Sequence, residues 1–173
     1  MFTTTESILK IAKRKGYETT SSKESVLNYV AEEFNLSDEN AMAATNVTIP
    51  HSTLQTVKYE YNEENKTYTR YARGRIQSDY ITGEPITTKN IIITMCDNYT
   101  LQDSENKGRQ GLKNIGTFDG YYITNGKAIP IKCIKTARET QTIYKDLDGN
   151  EINVNDGNTF INICPTDAKI VIE

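Results

Sequence analysis

Residues 119–133 read Asp-Gly-Tyr-Tyr-Ile-Thr-Asn-Gly-Lys-Ala-Ile-Pro-Ile-Lys-Cys, and this stretch decides the fold. Two β-rich runs, 121–124 and 128–134, flank the dipeptide Asn125-Gly126. A type I′ turn needs a positive φ at both central residues, and Asn-Gly is a pair that accepts this conformation. The stretch therefore predicts a β-hairpin around which the other strands are arranged.

The same stretch contains two glycines followed by Lys127, which invites comparison with a phosphate-binding loop. A Walker loop has four residues between its glycines, whereas five separate Gly120 from Gly126. Ala128 also stands where the Mg²⁺-binding Ser or Thr should follow the lysine. The sequence therefore predicts that this stretch has a structural role, as a hairpin, and that it binds no nucleotide cofactor.

Composition limits the classes of function. The 173 residues suffice for one domain, or for one domain with an extra piece at one end. The net charge of −3 provides no basic field to attract nucleic acid. The basic run at 10–15 fits the end of a helix, where cations complement the dipole. We therefore expect no nucleic-acid partner.

The three cysteines, Cys96, Cys133 and Cys164, are widely spaced in strand-like runs. An odd count without a CxxC motif predicts buried free thiols, with no metal site and no disulfide framework. No stretch approaches the ~18 apolar residues of a membrane span. We expect a soluble chain that could be part of a longer secreted or anchored protein.

One helix is predicted near the N-terminus. Thr3 and Glu6 form a capping box, Ile8, Leu9, Ile11 and Ala12 form an apolar stripe, and Gly16 ends the helix. Residues 21–34 are ambiguous, because they fit a second capped helix at 21–34 or a short strand at 26–30. Residues 38–44 are expected to add one helical turn.

Strand patterns dominate from residue 46 onward. The pattern predicts a strand at 47–49 that ends at Pro50, a hairpin of 56–61 with 67–71, and a strand at 90–96 that is buried on both faces. Residues 101–114 are expected to form a long mobile loop. A third hairpin of 140–144 with 151–154 turns at Asp148-Gly149, and strands at 159–163 and 169–172 follow, the last at an edge.

These elements predict an α+β, mainly β fold. The strands are expected to form an antiparallel sheet, a sandwich or an open barrel built of hairpins, with an N-terminal helical segment. We divide the chain into a helical segment, 1–45, and a β-rich domain, 46–173.

Four charged residues beside the strands are the candidate ligand site. Arg70, Asp79, Arg109 and Lys127 would suit a carboxylate or phosphate ligand if the fold brought them together. The carboxylates Asp79, Asp97, Asp103 and Asp119 could instead supply a glycosidase-like pair. Nothing in their spacing requires either arrangement.

Two further patterns are set aside. His51 is the only histidine, and its neighbour Ser52 points to the opposite face of an extended chain, so a satisfied or exposed His is the favoured interpretation. The run Asp146-x-Asp148-Gly149 resembles a calcium loop, but its Gly stands at position four and Gly157 at position twelve. A hairpin turn accounts for these residues.

Several motifs together resemble a known family. They are Tyr68-Thr-Arg-Tyr71, Gly74, Asp79, Thr82-Gly83, Asn90-Ile-Ile-Ile93, Gly120-Tyr-Tyr-Ile-Thr-Asn-Gly-Lys-Ala-Ile-Pro-Ile131, Asp146-Leu-Asp-Gly-Asn-Glu-Ile152 and Asp156-Gly-Asn-Thr-Phe-Ile161. In this order they resemble the carboxyl-terminal domain of the DUF3048 (YerB-like) lipoproteins of Gram-positive bacteria, over residues 48–173. Residues 2–16 are similar to the tail of that family's amino-terminal domain. This chain departs from the family pattern at Cys133 and Phe160, where Trp is usual, and at His51, where Tyr is common.

The resemblance implies an extracytoplasmic protein that a lipidated cysteine upstream tethers to the membrane, and it brings no known activity. On this basis segment 1–45 is expected to include the tail of a truncated N-terminal domain. We expect a non-catalytic binding or interaction domain with an unknown protein or cell-envelope ligand as partner. The alternatives are a cell-envelope glycan hydrolase that uses acidic residues near 101–114, and an oligomerisation module that uses the terminal strand.

Overall fold

The structure is a computed structural model that describes residues 3–20 and 25–173. Its helix α1, Thr5–Lys15, begins one residue later than predicted, because the N-cap is Thr4 and not Thr3. The Thr4 hydroxyl accepts a hydrogen bond from the Ser7 amide at 3.2 Å. Gly16 ends the helix with φ 66°, as predicted. The proposed second capping box at 21–24 lies outside the described residues.

Sixteen strands follow the helix in the described residues. In chain order they are β1 Asn28–Val30, β2 Met42–Ala43, β3 Asn46–Ser52, β4 Gln55–Asn62, β5 Thr67–Ala72, β6 Arg75–Ile76, β7 Thr87–Thr88, β8 Asn90–Met95, β9 Asn98–Thr100, β10 Gln110–Leu112, β11 Gly116–Thr124, β12 Lys127–Lys135, β13 Ile143–Lys145, β14 Asn153–Asn155, β15 Thr159–Cys164 and β16 Val171–Ile172.

Two six-stranded sheets form the body of the fold. The central sheet has the order β13-β12-β11-β8-β15, and β2 also pairs with β12. The second sheet has the order β16-β3-β4-β5-β6, and β7 also pairs with β5. All pairs in both sheets are antiparallel except β15 with β8. Neither sheet closes into a barrel in the described residues, so the predicted mainly β fold of hairpins with an N-terminal helix is confirmed.

The central sheet separates two hydrophobic cores. Ile91, Ile93 and Ile123 pack with Val47 and Tyr59 in the core that the second sheet covers. On the opposite face, other side chains of the central sheet form the second core with residues from segments 27–36 and 144–154; they include Ile92, Tyr122, Ile131, Cys133, Leu27, Leu36, Tyr144, Ile152 and Val154. Consecutive isoleucines of β8 therefore alternate between two cores. This confirms the strand buried on both faces, whose fully buried side chains each contribute about 1.5–3 kcal/mol.

The predicted central hairpin is confirmed in detail. Strands β11 and β12 pair from Gly116 with Lys135 to Thr124 with Lys127. Asn125 has φ 49° and Gly126 has φ 75°, the two positive angles that a type I′ turn requires. The hairpin of β4 with β5 is also confirmed, as is the edge position of the last strand, β16.

Some predicted elements differ from the structure before residue 60. Of the two alternatives for 21–34, the described part contains a strand, β1, which pairs in parallel with β14, and no helix. Residues 38–40 form one turn, and the chain then enters β2 instead of continuing as helix to Ala44. Strand β3 runs through Pro50 with a register shift between Pro50 and Ser52, because a bulge tolerates the missing N–H of proline.

Other differences fall in the second half. The predicted loop 101–114 is ordered at its end, where β10 pairs with β9. The third hairpin is reduced to one bridge between Lys145 and Glu151, because β13 pairs with β12 and β14 pairs with β1. Segment 1–45 is helical only in α1 among its described residues, and β1 and β2 pair with strands of the β-rich part. The boundary at 45/46 stays a prediction.

Candidate functional site

The tip of the central hairpin is bound by other parts of the chain. The Asn125 side-chain amide donates to the Phe34 carbonyl at 3.2 Å and to Asn35 Oδ1 at 3.1 Å. The Gly126 amide donates to the Tyr68 hydroxyl at 3.0 Å. The donors of this turn are therefore occupied by the protein itself, which agrees with a structural role for the Gly120–Lys127 motif.

A different part of the same hairpin is open. The outer edge of β12 pairs with β2 at Lys127 and Ala128, and with β13 from Lys132 to Ile134. Between these pairings, residues 129–131 have no strand partner on that side among the described residues. Pro130 is at the middle of the gap, where it has no N–H to leave unpaired. The gap exposes a short length of strand edge.

Three cavities of about 390, 260 and 280 Å³ lie beside this edge and share lining residues. Leu36, Ile129 and Asp146 line both the first and the second, whereas Pro130 and Leu147 line both the first and the third. We call the surface that these three cavities and their five shared residues form the β12 groove. Four of the five are apolar, so the groove has a hydrophobic floor of the kind that ligand sites have.

The rim of the β12 groove is acidic. Asp119, Asp146, Asp148 and Glu151 line it, and no Lys, Arg or His among the described residues does so. Lys132 Nζ forms an ion pair with Asp119 at 2.5 Å, whereas no ion pair or side-chain hydrogen bond occupies the Asp148 carboxylate among the described residues. An apolar floor with excess carboxylates favours a ligand that carries both apolar groups and a positive charge.

The turn at 146–150 shapes one wall of the groove. Asp146 Oδ1 accepts a hydrogen bond from the Asn150 amide at 2.8 Å, and the Asp146 amide donates to the Asn150 carbonyl at 2.9 Å. Desolvation raises the pKa of Asp146, but the backbone and side-chain hydrogen bonds of Asn150 outweigh it, so the pKa is lowered overall. Gly149 supplies φ 90°. Asp146 therefore stays ionised while it holds Leu147 and Asp148 towards the groove.

The four predicted ligand residues have separate surroundings. Asp79 accepts hydrogen bonds from the amides of Ile81 and Thr82, which lower its pKa and cap a turn. Arg109 forms an ion pair with Asp103 at 2.8 Å and another with Glu105. These contacts give both side chains structural partners.

Lys127 and Arg70 complete the predicted set. Lys127 Nζ forms an ion pair with Asp38 at 2.6 Å and donates to the Leu36 carbonyl at 3.4 Å, beside the β12 groove. Arg70 lies between the two sheets and has no ion pair among the described residues. None of the four residues lines the β12 groove, and their convergence on one ligand stays a prediction.

The carboxylates considered for hydrolysis are held in local contacts. Asp103 and Glu105 both bind Arg109, and Asp97 accepts a hydrogen bond from Thr166 at 2.7 Å. A catalytic acid needs a raised pKa. Of the carboxylates considered, Asp79 instead has a lowered pKa, because it accepts hydrogen bonds from the backbone amides of Thr82 and Ile81.

The thiols and the histidine have structural contacts. Cys96, Cys133 and Cys164 are free and buried, as predicted. Burial raises the pKa of Cys133 and of Cys164 to about 11, so both remain protonated at neutral pH. His51 Nδ1 lies 3.1 Å from the Ile163 carbonyl. In residues 3–20 and 25–173, no three His, Cys, Asp or Glu side chains are grouped to hold a metal ion.

Sequence reasoning missed the β12 groove because its residues come from three separated segments. Leu36 precedes β2, Ile129 and Pro130 lie in β12, and Leu147 lies in a turn. One signal was available, because a proline within an otherwise regular strand indicates an open edge. The acidic turn 146–150 was recognised as a turn but not as a wall of a site.

The family model "Protein of unknown function (DUF3048) C-terminal domain" matches residues 45–161, more than half of the chain. The chain belongs to the DUF3048 family. The predicted family resemblance is confirmed, and the motifs around Asn125 and Gly126 fall inside the matched region.

Two comparisons with the YerB protein of Bacillus subtilis extend this result. The chain is 26% identical, over 95% of its length, to a protein of Bacillus subtilis (strain 168) named "Putative lipoprotein YerB". The crystal structure of the YerB protein from Bacillus subtilis is similar over 98% of the chain, with a TM-score of 0.74 and 25% identity. The chain spans 47% of the curated relative and 54% of the solved one, about half of each. In the part that the structure describes, no helix has the length and apolar character needed to cross a membrane.

Proposed function

We propose that this chain is a non-catalytic, extracytoplasmic binding domain whose β12 groove binds an extended peptide segment with apolar side chains and one basic side chain. The observation that carries the proposal is the coincidence of an open strand edge, an apolar floor and four rim carboxylates. The lipoprotein name of the relative supports a parent protein held at the membrane surface by a lipid anchor.

The geometry matches how extended peptides are recognised. An open strand edge offers main-chain hydrogen bonds, while adjacent pockets accept alternate side chains. The gap at 129–131 is short and Pro130 has no N–H, so main-chain pairing would be limited to a ligand N–H that donates to the Pro130 carbonyl. The floor of Leu36, Ile129 and Leu147 then accepts the apolar side chains, and Asp148 at the rim binds the positive charge.

Fluorescence anisotropy with two labelled peptides tests the proposal. Both peptides carry the same apolar residues, and one has a Lys where the other has a norleucine. The Lys peptide should bind several-fold more tightly, and the difference should shrink in high salt because exposed charges are screened. Equal binding of the two peptides would remove the basis for the proposed charge recognition.

A matched pair of variants locates the site. Asp148→Asn should weaken binding of the Lys peptide about fivefold to tenfold, which corresponds to about 1 kcal/mol. Asp167→Asn is the control, since Asp167 is exposed and lines none of the three cavities. An unchanged affinity in Asp148→Asn would contradict the assignment. Amide shifts in labelled protein should concentrate at Ile129 and Ile131.

The hydrolase alternative has its own readout. If the domain cleaves cell-envelope glycan, mass spectrometry should detect products that disappear in Asp103→Asn or Asp119→Asn. Such turnover would replace the binding proposal. The ion pairs of both carboxylates, with Arg109 and Lys132, make them weak candidates for the acid of an acid–base pair.

A further inference from the structure

Arg70 differs from the other basic residues of the strands. It lies on β5, where its neighbours two positions away, Tyr68 and Ala72, lie on the same face. Tyr68 is fully buried in the core between the sheets. Arg70 is therefore directed inward and is only partly exposed. A guanidinium is always charged, so N–H groups of Arg70 that the protein leaves unpaired are available to an anion.

Two aromatic rings and one hydroxyl hold the Arg70 side chain. Its Cζ lies 5.1 Å from the centre of the Phe160 ring and 5.9 Å from the centre of the Tyr59 ring. Its Nε donates to the Tyr59 hydroxyl at 3.3 Å. These contacts orient the guanidinium but supply no negative charge. Cation–π contacts contribute about 0.5–2 kcal/mol and do not replace a counter-ion.

No carboxylate partner compensates Arg70 within residues 3–20 and 25–173. Ion pairs there involve Lys58, Lys66, Lys89, Lys107, Arg109, Lys127 and Lys132. The two terminal NH₂ groups of Arg70 likewise have no acceptor among these residues. A planar fork of this type matches the oxygens of a carboxylate or phosphate.

Asn162 supplies an independent observation at the same hydroxyl. The Tyr59 hydroxyl donates to Asn162 Oδ1 at 3.3 Å, so Arg70 and Asn162 share one partner. Asn162 is only 6% exposed, and its Nδ2 has no acceptor within the described chain. Leaving a buried donor unsatisfied costs about 1–3 kcal/mol. Arg70 and Asn162, which both contact the Tyr59 hydroxyl, therefore each have N–H donors that could bind an acceptor from a ligand.

We propose that Arg70, Tyr59 and Asn162 form an oxyanion-binding site at the margin between the two sheets. The guanidinium would bind the carboxylate or phosphate group of a ligand through its terminal NH₂ groups while it lies over the Phe160 ring. This site is distinct from the β12 groove, because none of its residues lines that groove. This site would bind a negatively charged group, whereas the β12 groove would bind a positively charged one. The proposal therefore does not depend on the peptide binding proposed above.

Thermal unfolding and arginine side-chain NMR test the site with simple anions. Sodium phosphate and sodium acetate are each titrated at constant ionic strength against sodium chloride. Phosphate, acetate or both should raise the midpoint of unfolding and shift the Arg70 Nε–Hε resonance, since a ligand that binds only the folded state stabilises it. Identical behaviour in chloride would overturn the proposal. A response to one anion alone identifies the chemical source.

Two variants with a matched control complete the test. Arg70→Gln should weaken anion binding about tenfold, because the charge and the fork are lost. Arg73→Gln should retain it, because Arg73 is exposed and its Nε binds Gln55 at 2.8 Å. If Arg70→Gln does not fold, Arg70→Lys keeps the charge without the fork and should still bind more weakly. Unchanged binding in the folded variants would refute the site.

Discussion

Two turns of similar sequence, Asn125-Gly126 and Asp148-Gly149, have different roles in this molecule. The first is clamped by Phe34, Asn35 and Tyr68, which approach from other segments. The second is held mainly by its own residues, Asp146 and Asn150. A turn fixed by the rest of the fold contributes to global stability, whereas a turn fixed by itself is free to form the wall of a site.

The comparison predicts its largest effect for Gly126→Val. A β-branched residue resists φ 75°, and the new Cβ would lie 3.0 Å from the Tyr61 ring. Backbone strain and overpacking together should cost about 2–4 kcal/mol. Gly149→Val is the control, since it has φ 90° but nothing within 4 Å of the added Cβ. Urea unfolding should separate the two, and equal losses would mean that packing at the hairpin tip is unimportant.

A second contrast concerns the asparagines of the two turns. Asn125→Ala removes hydrogen bonds to Phe34 and Asn35 and places Ala at φ 49°, so we expect a loss of about 2 kcal/mol. Asn150→Ala removes only an exposed side-chain bond to Asp146 at 3.2 Å and should cost less. Thermal unfolding of both variants measures the difference, and a larger loss for Asn150→Ala would reverse the comparison.

The ion pairs behind the hairpin tip give a pH-dependent test. Glu33 binds Lys66 at 2.7 Å and Lys89 at 2.5 Å, and these bonds lower the pKa of Glu33 from 4.5 to about 2. Its contribution is therefore complete above about pH 4.5 and is lost as the pH falls towards 2. Because the side chain is 42% exposed, screening limits the contribution to about 1 kcal/mol.

Glu33→Gln should thus be less stable than the wild type at pH 7, with the difference shrinking between pH 4.5 and pH 2. Glu32→Gln serves as the control, since Glu32 is the exposed neighbour. Urea titrations at several pH values measure both variants. A difference that stays constant with pH would show that the ion pairs do not account for it.

The smallest effect on stability is expected at Leu147, in the self-contained turn. Leu147 is 65% exposed, so Leu147→Ala should change the free energy of unfolding by no more than about 0.5 kcal/mol. It lines two of the three cavities, and peptide binding to the β12 groove should weaken. Leu54→Ala, at an 84% exposed position outside the groove, should leave binding unchanged. Equal binding in both variants would argue against an apolar floor at Leu147.

Local sequence patterns predicted the secondary-structure elements that neighbouring residues are sufficient to determine. The Asn-Gly turn, the alternating hairpin of β4 with β5 and the continuous apolar run of β8 were correctly predicted. The sequence left open the pairings that a distant partner decides. Strand β1 pairs with β14, more than a hundred residues away, and β15 pairs in parallel with β8. Neither pairing is encoded in the periodicity of a single segment.

The candidate sites also combine residues that the sequence indicated with residues that only the tertiary structure brings together. Arg70 was selected from the sequence as a possible anion ligand, and the structure leaves it without a carboxylate partner in the described residues. Its neighbours Phe160 and Asn162 come from the other sheet and could not be anticipated. Leu36 and Leu147, on the floor of the β12 groove, carry no chemical signal in the sequence.

By itself the sequence determined the type I′ hairpin, the mainly β class, the buried thiols and the family. These follow from residue chemistry and short-range spacing, because the conformational preference of Asn-Gly and the burial of apolar runs act locally. Only the tertiary structure decided that β12 would be left open at Pro130, that carboxylates would surround this opening, and that Arg70 would face two rings without a counter-ion. Such features arise where separate segments meet, and no single segment contains them.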